Sequence, residues 1–333
     1  MGRKMTAGLI IVAAGIAVIL LLNRKPASTG QPKMTSVIPG PVSDSFWVAP
    51  DSSQIPNNDE GALILYGKSL IAHTAEYFGP AGRIGRNANG MNCQNCHLQA
   101  GTKPWGNNYG GVSSTYPKFR ERRGGIENVY QRIDDCFRRS LNGKAPDSSS
   151  REMQAMLAYM HWLGKEVPKG KKPIGAGIAS LPFLNRAADP QKGKLVYVGQ
   201  CQRCHGPEGE GIFSPDSVNY LYPPLWGKHS YNTGAGLFRI SRFAGYVRDN
   251  MPFGATHAQT LVTNEEAWDV AAFVNTQPRP AKVFKGDWPD ISLKPFDHPF
   301  GPYADGFSTL QHKFGPFAPI QKAKESLAKK KSG

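Results

Sequence analysis

The sequence predicts a mainly α-helical protein made of two tandem domains of the same kind, and three observations carry that prediction. Four of the five cysteines fall in two Cys-x-x-Cys-His blocks, Cys93–His97 and Cys201–His205. Each block is followed, at similar range, by a sulfur-bearing residue in a helical segment: Cys136 lies 39 residues after His97, and Met251 lies 46 after His205. An Ala-aromatic pair then recurs, Ala158-Tyr159 at 22 residues beyond Cys136 and Ala272-Phe273 at 21 beyond Met251. The block reads as covalent c-type haem attachment, with two cysteine thioethers and the histidine as proximal ligand. An internal repeat carrying it predicts two class I cytochrome c folds in series, with long loops. The 37 glycines and 27 prolines fit such loop-rich domains, where the haem supplies much of the core.

Residues 1–25 contain an apolar run, Met5 to Leu22, with Arg3 and Lys4 before it and Arg24 and Lys25 after it. It is longer than a usual signal-peptide core and no clear A-x-A site follows, so a transmembrane anchor is expected over a cleaved signal. Either reading exports the rest of the chain, to the periplasmic face of the inner membrane or to the periplasm itself. Residues 26–56, rich in Pro, Ser and Gly, read as a tether and wrapping segment. The first cytochrome domain is expected over 57–166. Its helices are predicted from about Asp59 to Tyr77, over 126–141 with Ile126, Val129, Ile133, Phe137 and Leu141 as the apolar stripe, and from Ser150 to Leu163. Asn57, Asn58 or Asp59 caps the first, and Asn142-Gly143 ends the second. Between them, 101–125 is a Gly/Tyr/Arg-rich loop. A Lys/Gly/Pro-rich linker covers 167–189. The second domain, 190–283, has helices near Pro190–Val198, before Met251, and from Glu265 to Asn275. Residues 284–333 are expected to form an irregular, wrapping extension with a loose basic tail.

The net charge of +15 fits an anionic lipid, an acidic partner or a small anion. With two haem motifs, nucleic acid is excluded as a partner. The competing readings of Cys-x-x-Cys, a thioredoxin-like dithiol or a zinc site, do not explain a histidine directly after both pairs. Met251 is the expected distal ligand of the second haem, ahead of Lys228 and His229. For the first haem, Met91 is too close to the attachment site. Met153, Met156 and Met160 recur at helical spacing and read as core. That leaves Cys136 in the slot equivalent to Met251. A thiolate stabilises Fe(III), so the first haem is expected at the lower potential and the second at the higher. At 100° per residue Arg132, Cys136 and Ser140 share one edge of their helix, with Arg139 near it. Arg120, Arg122 and Arg123 come from the loop before. Such a cluster suits an oxyanion, because a guanidinium makes paired charge-assisted hydrogen bonds.

These residues resemble the thiosulfate dehydrogenase family of dihaem cytochromes c, over about Asn57 to Pro278. The most specific matches are Cys93–His97, the run from Arg132 to Gly143, and the second block with Met251. The resemblance implies two covalently attached haem c groups and oxidation of two thiosulfates to tetrathionate, reversible in some members. It implies that His97 and Cys136 ligate the active-site haem, that Arg122, Arg132 and Ser140 line the substrate pocket, and that His205 ligates the second haem. Some members carry lysine directly before the methionine and switch ligands. Here Asn250 stands there, which implies His/Met ligation throughout. Electrons would pass to a periplasmic or membrane redox partner. Cys136 could also hold a sulfane sulfur covalently. Two alternatives are a membrane-tethered electron-transfer cytochrome and a thiosulfotransferase-type sulfur-oxidation subunit. Two methionine-ligated haems would be expected of the first, and a carrier-protein requirement of the second.

Overall fold

A computed structural model of the chain describes residues 46–215 and 218–332. The predicted anchor and most of the tether lie outside the described residues. Among the described residues no helix is long and apolar enough to cross a membrane.

The first domain is framed by helix α1 (Asp59–Ala72) packed against α4 (Arg151–Leu163). Asn58 caps α1 by accepting the Gly61 N–H at 3.0 Å, and Ser150 caps α4 by accepting from Met153 N. Ile64, Leu70 and Ile71 of α1 and Met153, Met156, Tyr159 and Leu163 of α4 are buried between them. The crossing is close because Gly67 has no side chain: a Cβ there would collide with the Ala155 carbonyl and Tyr159 Cβ. The second domain repeats this contact. Helix α5 (Pro190–Val196) crosses α7 (Asn264–Thr276), and a Cβ at Gly193 would collide with the Asp269 carbonyl and Phe273 Cβ. The aromatics of the two predicted Ala-aromatic pairs therefore occupy the same place in each half.

Three sequence expectations are corrected. The first helix ends at Ala72, and a short α2 (Thr74–Phe78) follows. Thr74 Oγ1 donates back to Leu70 O at 2.8 Å, and Asn92 Oδ1 takes the Ala75 N–H at 2.8 Å, which turns the chain there. The helix expected over 126–141 is α3, Val129–Arg139. Residues Gly125–Glu127 (β2) instead pair antiparallel with Lys118–Arg120 (β1) inside the predicted loop. Ile126 is 64% exposed and leaves the apolar stripe, whereas Val129, Ile133, Phe137 and Leu141 are buried. An Asn128–Gln131 capping box starts α3, and Asn142, at φ 48°, stops the chain beyond it. Third, the extension is not loose at its end. It forms α8 (Thr309–Phe314) and α9 (Ala318–Ser332). Phe317 and Ile320 bury themselves, with Phe317 at 5.4 Å from the Trp268 ring and 5.2 Å from Phe296.

Helix α6 (Ile240–Asn250) packs on α7 and delivers Met251 directly after its last residue. Two bonds tie α6 to the first domain: Tyr246 donates to Asn95 O, and Asn250 Nδ2 donates to Trp105 O. The predicted linker runs over both domains. Trp105 N and Asn107 N donate to Gly175 O and Gly177 O, and the Ala179 carbonyl sits against Gly245 of α6.

Candidate active site

A cavity of about 1000 Å³ opens where the first domain, the linker, α6 and the extension meet. Cys96, His97, Arg122, Arg132, Cys136 and Ser140 all line it. Helix α3 supplies Arg132 and Cys136 and leads directly into Ser140. One turn separates each from the next, so the edge predicted from periodicity is the edge that faces the cavity.

The sulfur and imidazole groups fit covalent haem. His97 Nδ1 lies 2.5 Å from Asn107 O, and His205 Nδ1 lies 2.8 Å from Pro223 O. A backbone carbonyl at Nδ1 fixes the proton there and leaves Nε2 as a free lone pair, the usual arrangement of a ligating histidine. Burial pushes the His97 imidazole down to about 4 and lowers that of His205, which keeps both rings neutral. All five cysteines are free. Burial pushes the thiols of Cys93 and Cys96 up to about 12 and that of Cys201 up to about 11. A redox dithiol needs the opposite shift. Among the described residues no group of three or more His, Cys, Asp or Glu is arranged to hold a bare metal ion. Cys201, Cys204, His205 and Met251 lie outside the cavity. Met251 is half-buried against the core, while Lys228 and His229 are exposed. Met91, Met153, Met156 and Met160 are buried core residues.

The arginines divide into two groups. Arg139 is consumed by ion pairs: Nη1 and Nη2 reach Asp287 at 2.8 Å each, Nε reaches Asp135 at 3.1 Å, and the Phe284 ring lies 3.8 Å away. The expectation that it joins the anion site is corrected, because it braces α3 against the extension. Arg123 sits 3.8 Å from Glu127 and does not line the cavity. Arg120 lines it but lies 3.5 Å from the same carboxylate. Arg122 and Arg132 have no hydrogen-bond acceptor among the described residues, and Arg122 Nη1 is buried without one. The negative charge of Cys136 holds the Arg132 guanidinium above its ordinary pKa against the effect of burial. Burial first, then Arg139 and Arg132, pull Arg122 down to about 10. A buried guanidinium weakened by like charges is a site that an anion would relieve.

Sequence reading missed the far wall: Lys172 of the linker, Arg239 just before α6 and Arg242 within it, and Trp288, Lys324 and Leu327 of the extension. Trp288 donates its N–H to Arg122 O at 2.7 Å, and its ring lies 5.8 Å from the Arg122 guanidinium. Arg239 is neutralised by Asp297 at 2.7 Å, and Lys324 donates to the Ser292 carbonyl at 2.8 Å. One signal was available. Arginines at the start of a helix oppose its dipole and so hint at a neighbouring anion.

Known proteins match this organisation. A family model described as the SoxA/TsdA cytochrome c domain matches residues 85–168, and a cytochrome c model matches 190–278. A thiosulfate dehydrogenase of Allochromatium vinosum is 39% identical over 69% of this chain and 83% of its own. One of Psychrobacter arcticus is 36% identical over 72% of this chain and 71% of its own. Among solved structures, the thiosulfate dehydrogenase TsdBA of Marichromatium purpuratum, in its as-isolated form, superposes with a TM-score of 0.66 at 29% identity. That match covers 72% of this chain and 51% of the other, so this chain spans about half the length of TsdBA. The two tandem domains are cytochrome c domains, each carrying one covalently bound haem c, and the chain belongs to the thiosulfate dehydrogenase family.

Proposed function

We propose that this protein oxidises two thiosulfates to tetrathionate at the cavity beside Cys136 and passes the electrons through its second domain to an external acceptor. The convergence of His97, Cys136, Arg122, Arg132 and Ser140 on one cavity carries this reading. His97 and Cys136 would hold the active-site haem, and His205 and Met251 the second, in both redox states. When bound, the two haems each accept one electron, which matches the two electrons released per tetrathionate.

The chain's own residues do the rest. Arg122 and Arg132 bind the sulfonate oxygens and offset two dianions brought together. Ser140 supplies a hydroxyl donor on the same edge. The Cys136 thiolate attacks the outer sulfur of one thiosulfate as two electrons are withdrawn, forming an adduct in which Cys136 Sγ is bonded to that outer sulfur (Sγ–S–SO₃⁻). The outer sulfur of a second thiosulfate then displaces the Cys136 sulfur. Tetrathionate leaves and the thiolate is restored. Each S–S step is reversible in principle, so the reverse reduction uses the same groups.

The apolar run Met5–Leu22 supports an inner-membrane anchor with the two domains on the periplasmic side. A periplasmic or membrane cytochrome-type acceptor follows from that placement. The test is ferricyanide reduction by thiosulfate with tetrathionate quantified. One tetrathionate per two ferricyanides is expected, without any carrier protein. No turnover with both haems intact would reject the reading in the forward direction.

A further inference from the structure

Of the seven Lys and Arg residues lining the cavity, three are occupied: Arg120 by Glu127, Arg239 by Asp297 and Lys324 by backbone carbonyls. Glu121 is the one acidic lining residue. Four cations therefore have no hydrogen-bond acceptor or ion-pair partner among the described residues: Arg122, Arg132, Lys172 and Arg242. The first two belong to the Cys136 side. The other two come from the linker and from α6 and line the same cavity, near enough that the charge of Arg242 bears on Lys172.

Both are held in place by well-bonded backbone. The Lys171 carbonyl accepts from Ser114 Oγ at 2.7 Å, and Gly175 O accepts from Trp105 N at 2.7 Å and from Asn108 Nδ2 at 2.6 Å. Arg242 stands in the first turn of α6, whose start is fixed by Asp297 accepting from Ser241 N at 3.1 Å. Two unpaired like charges on rigid elements, facing one cavity, are a prepared oxyanion site. Both side chains are exposed at the cavity mouth; partial desolvation lowers each pKa, with Arg242 adding to the effect at Lys172, and Arg239 and Arg120 adding to it at Arg242. A bound dianion would reverse that.

We propose that Lys172 and Arg242 form a second oxyanion subsite, which takes the sulfonate of the second thiosulfate while Arg122 and Arg132 hold the first beside Cys136. This rests on the function proposed above. It explains why four free cations face one cavity: two dianions must lie together, sulfonates apart and outer sulfurs meeting. Tetrathionate, with a sulfonate at each end, would span both subsites. Arg242 is placed by α6, so the second domain contributes to substrate binding as well as to electron removal.

Haem carboxylates are the other oxyanions that these cations could hold, and the test separates the two sources. Tetrathionate binding to the fully oxidised holoprotein is measured by calorimetry, where no turnover occurs, alongside the potential of each haem. Lys172→Gln and Arg242→Gln are each expected to weaken tetrathionate about tenfold, and the double variant about 100-fold. The thiosulfate KM should rise with kcat largely kept, both haem potentials should hold, and Lys172→Arg should restore binding. Lys172 makes no side-chain hydrogen bond, so its substitution leaves folding intact. Unchanged tetrathionate affinity in both single variants would overturn the subsite. So would a shift in the first haem's potential without a change in affinity, which would assign the pair to haem carboxylates. A wild-type protein that binds no tetrathionate and oxidises no thiosulfate would overturn the proposed function and the subsite together. One that does both, beside indifferent variants, would reject the subsite alone.

Discussion

The two cytochrome domains share a scaffold and differ in what surrounds it. Each crosses its first and last helices over a glycine, Gly67 against Ala155 and Gly193 against Asp269. Each fixes its motif histidine by a backbone carbonyl at Nδ1. The first domain then carries Cys136 inside α3 on the cavity wall, where the second carries Met251 just after α6 and away from the cavity. It leaves Arg122 and Arg132 unpaired beside that thiol and opens onto a large cavity. Around the second domain the linker's Arg186 pairs with Asp269 at 2.8 Å and Arg239 pairs with Asp297, while Arg242 of α6 stays unpaired and faces the first domain's cavity. The shared parts suffice to hold a haem and move an electron. The first domain adds a thiol on the cavity wall with two unpaired guanidiniums beside it, the groups that the proposed substrate chemistry uses.

The extension sharpens that contrast by choosing which cations stay free. Asp287 occupies Arg139 and Asp297 occupies Arg239, while Trp288 contacts Arg122 without offering it an acceptor. Paired arginines brace the cavity wall, and unpaired ones remain for anions.

The comparison can be broken or refined by substitution. The largest effect is expected from Cys136→Met, which makes the first domain resemble the second. It keeps a ligand and removes the nucleophile, so thiosulfate turnover should fall by about 10³ or more in steady-state assays. Near-full activity would eliminate the covalent step. Arg132→Gln should lower kcat/KM for thiosulfate by about 10–100-fold, the loss of a charge-assisted pair to the sulfonate, while both haems stay in place by pyridine haemochrome assay. Asp287→Asn should cost about 2–3 kcal/mol of stability, read as a lower thermal midpoint of the holoprotein, because Arg139 loses a two-pronged partner. Restoration of the midpoint by Asp287→Glu would confirm the role of charge.

The smallest effect is a pH dependence. Burial and then Arg242 lower the pKa of Lys172, and Lys118 is a further cation nearby. A lysine with a lowered pKa carries its full charge below that value and loses it as pH climbs through it. Tetrathionate affinity should therefore be flat at neutral pH and weaken on the alkaline side, beginning below the ordinary lysine range. Lys172→Arg should move the decline to higher pH, because arginine stays charged. An identical alkaline decline in Lys172→Arg would remove Lys172 from the anion site.

Much of the first domain's chemistry was legible in the sequence because it is local. Arg132, Cys136 and Ser140 sit at fours on one helix, so helical periodicity alone placed them together. The haem blocks are five-residue motifs, and their spacing to Cys136 and Met251 exposed the repeat. Arg139 misled because it belongs to the same local pattern. Its partner Asp287 is 148 residues away, a pairing that no local pattern encodes. Lys172 and Arg242 were missed for the same reason. The strands at 118–120 and 125–127 are too short to show alternation, and Ile126 happens to fit a helical period while pointing outward. The final helix was overlooked because few of its residues are apolar. Phe317 and Ile320 anchor it into an aromatic cluster drawn from the linker, α7 and the extension.

The division of labour between the two domains is tested most directly by a spectroelectrochemical titration of the holoprotein and of Cys136→Met. A thiolate stabilises the oxidised iron and a thioether the reduced iron. The wild type should therefore show two separate one-electron waves, the lower one from the first domain. In Cys136→Met that lower wave should rise toward the upper one, which stays in place. Two overlapping waves in the wild type, or a lower wave indifferent to the substitution, would contradict the assignment of Cys136 as the group that sets the first site apart.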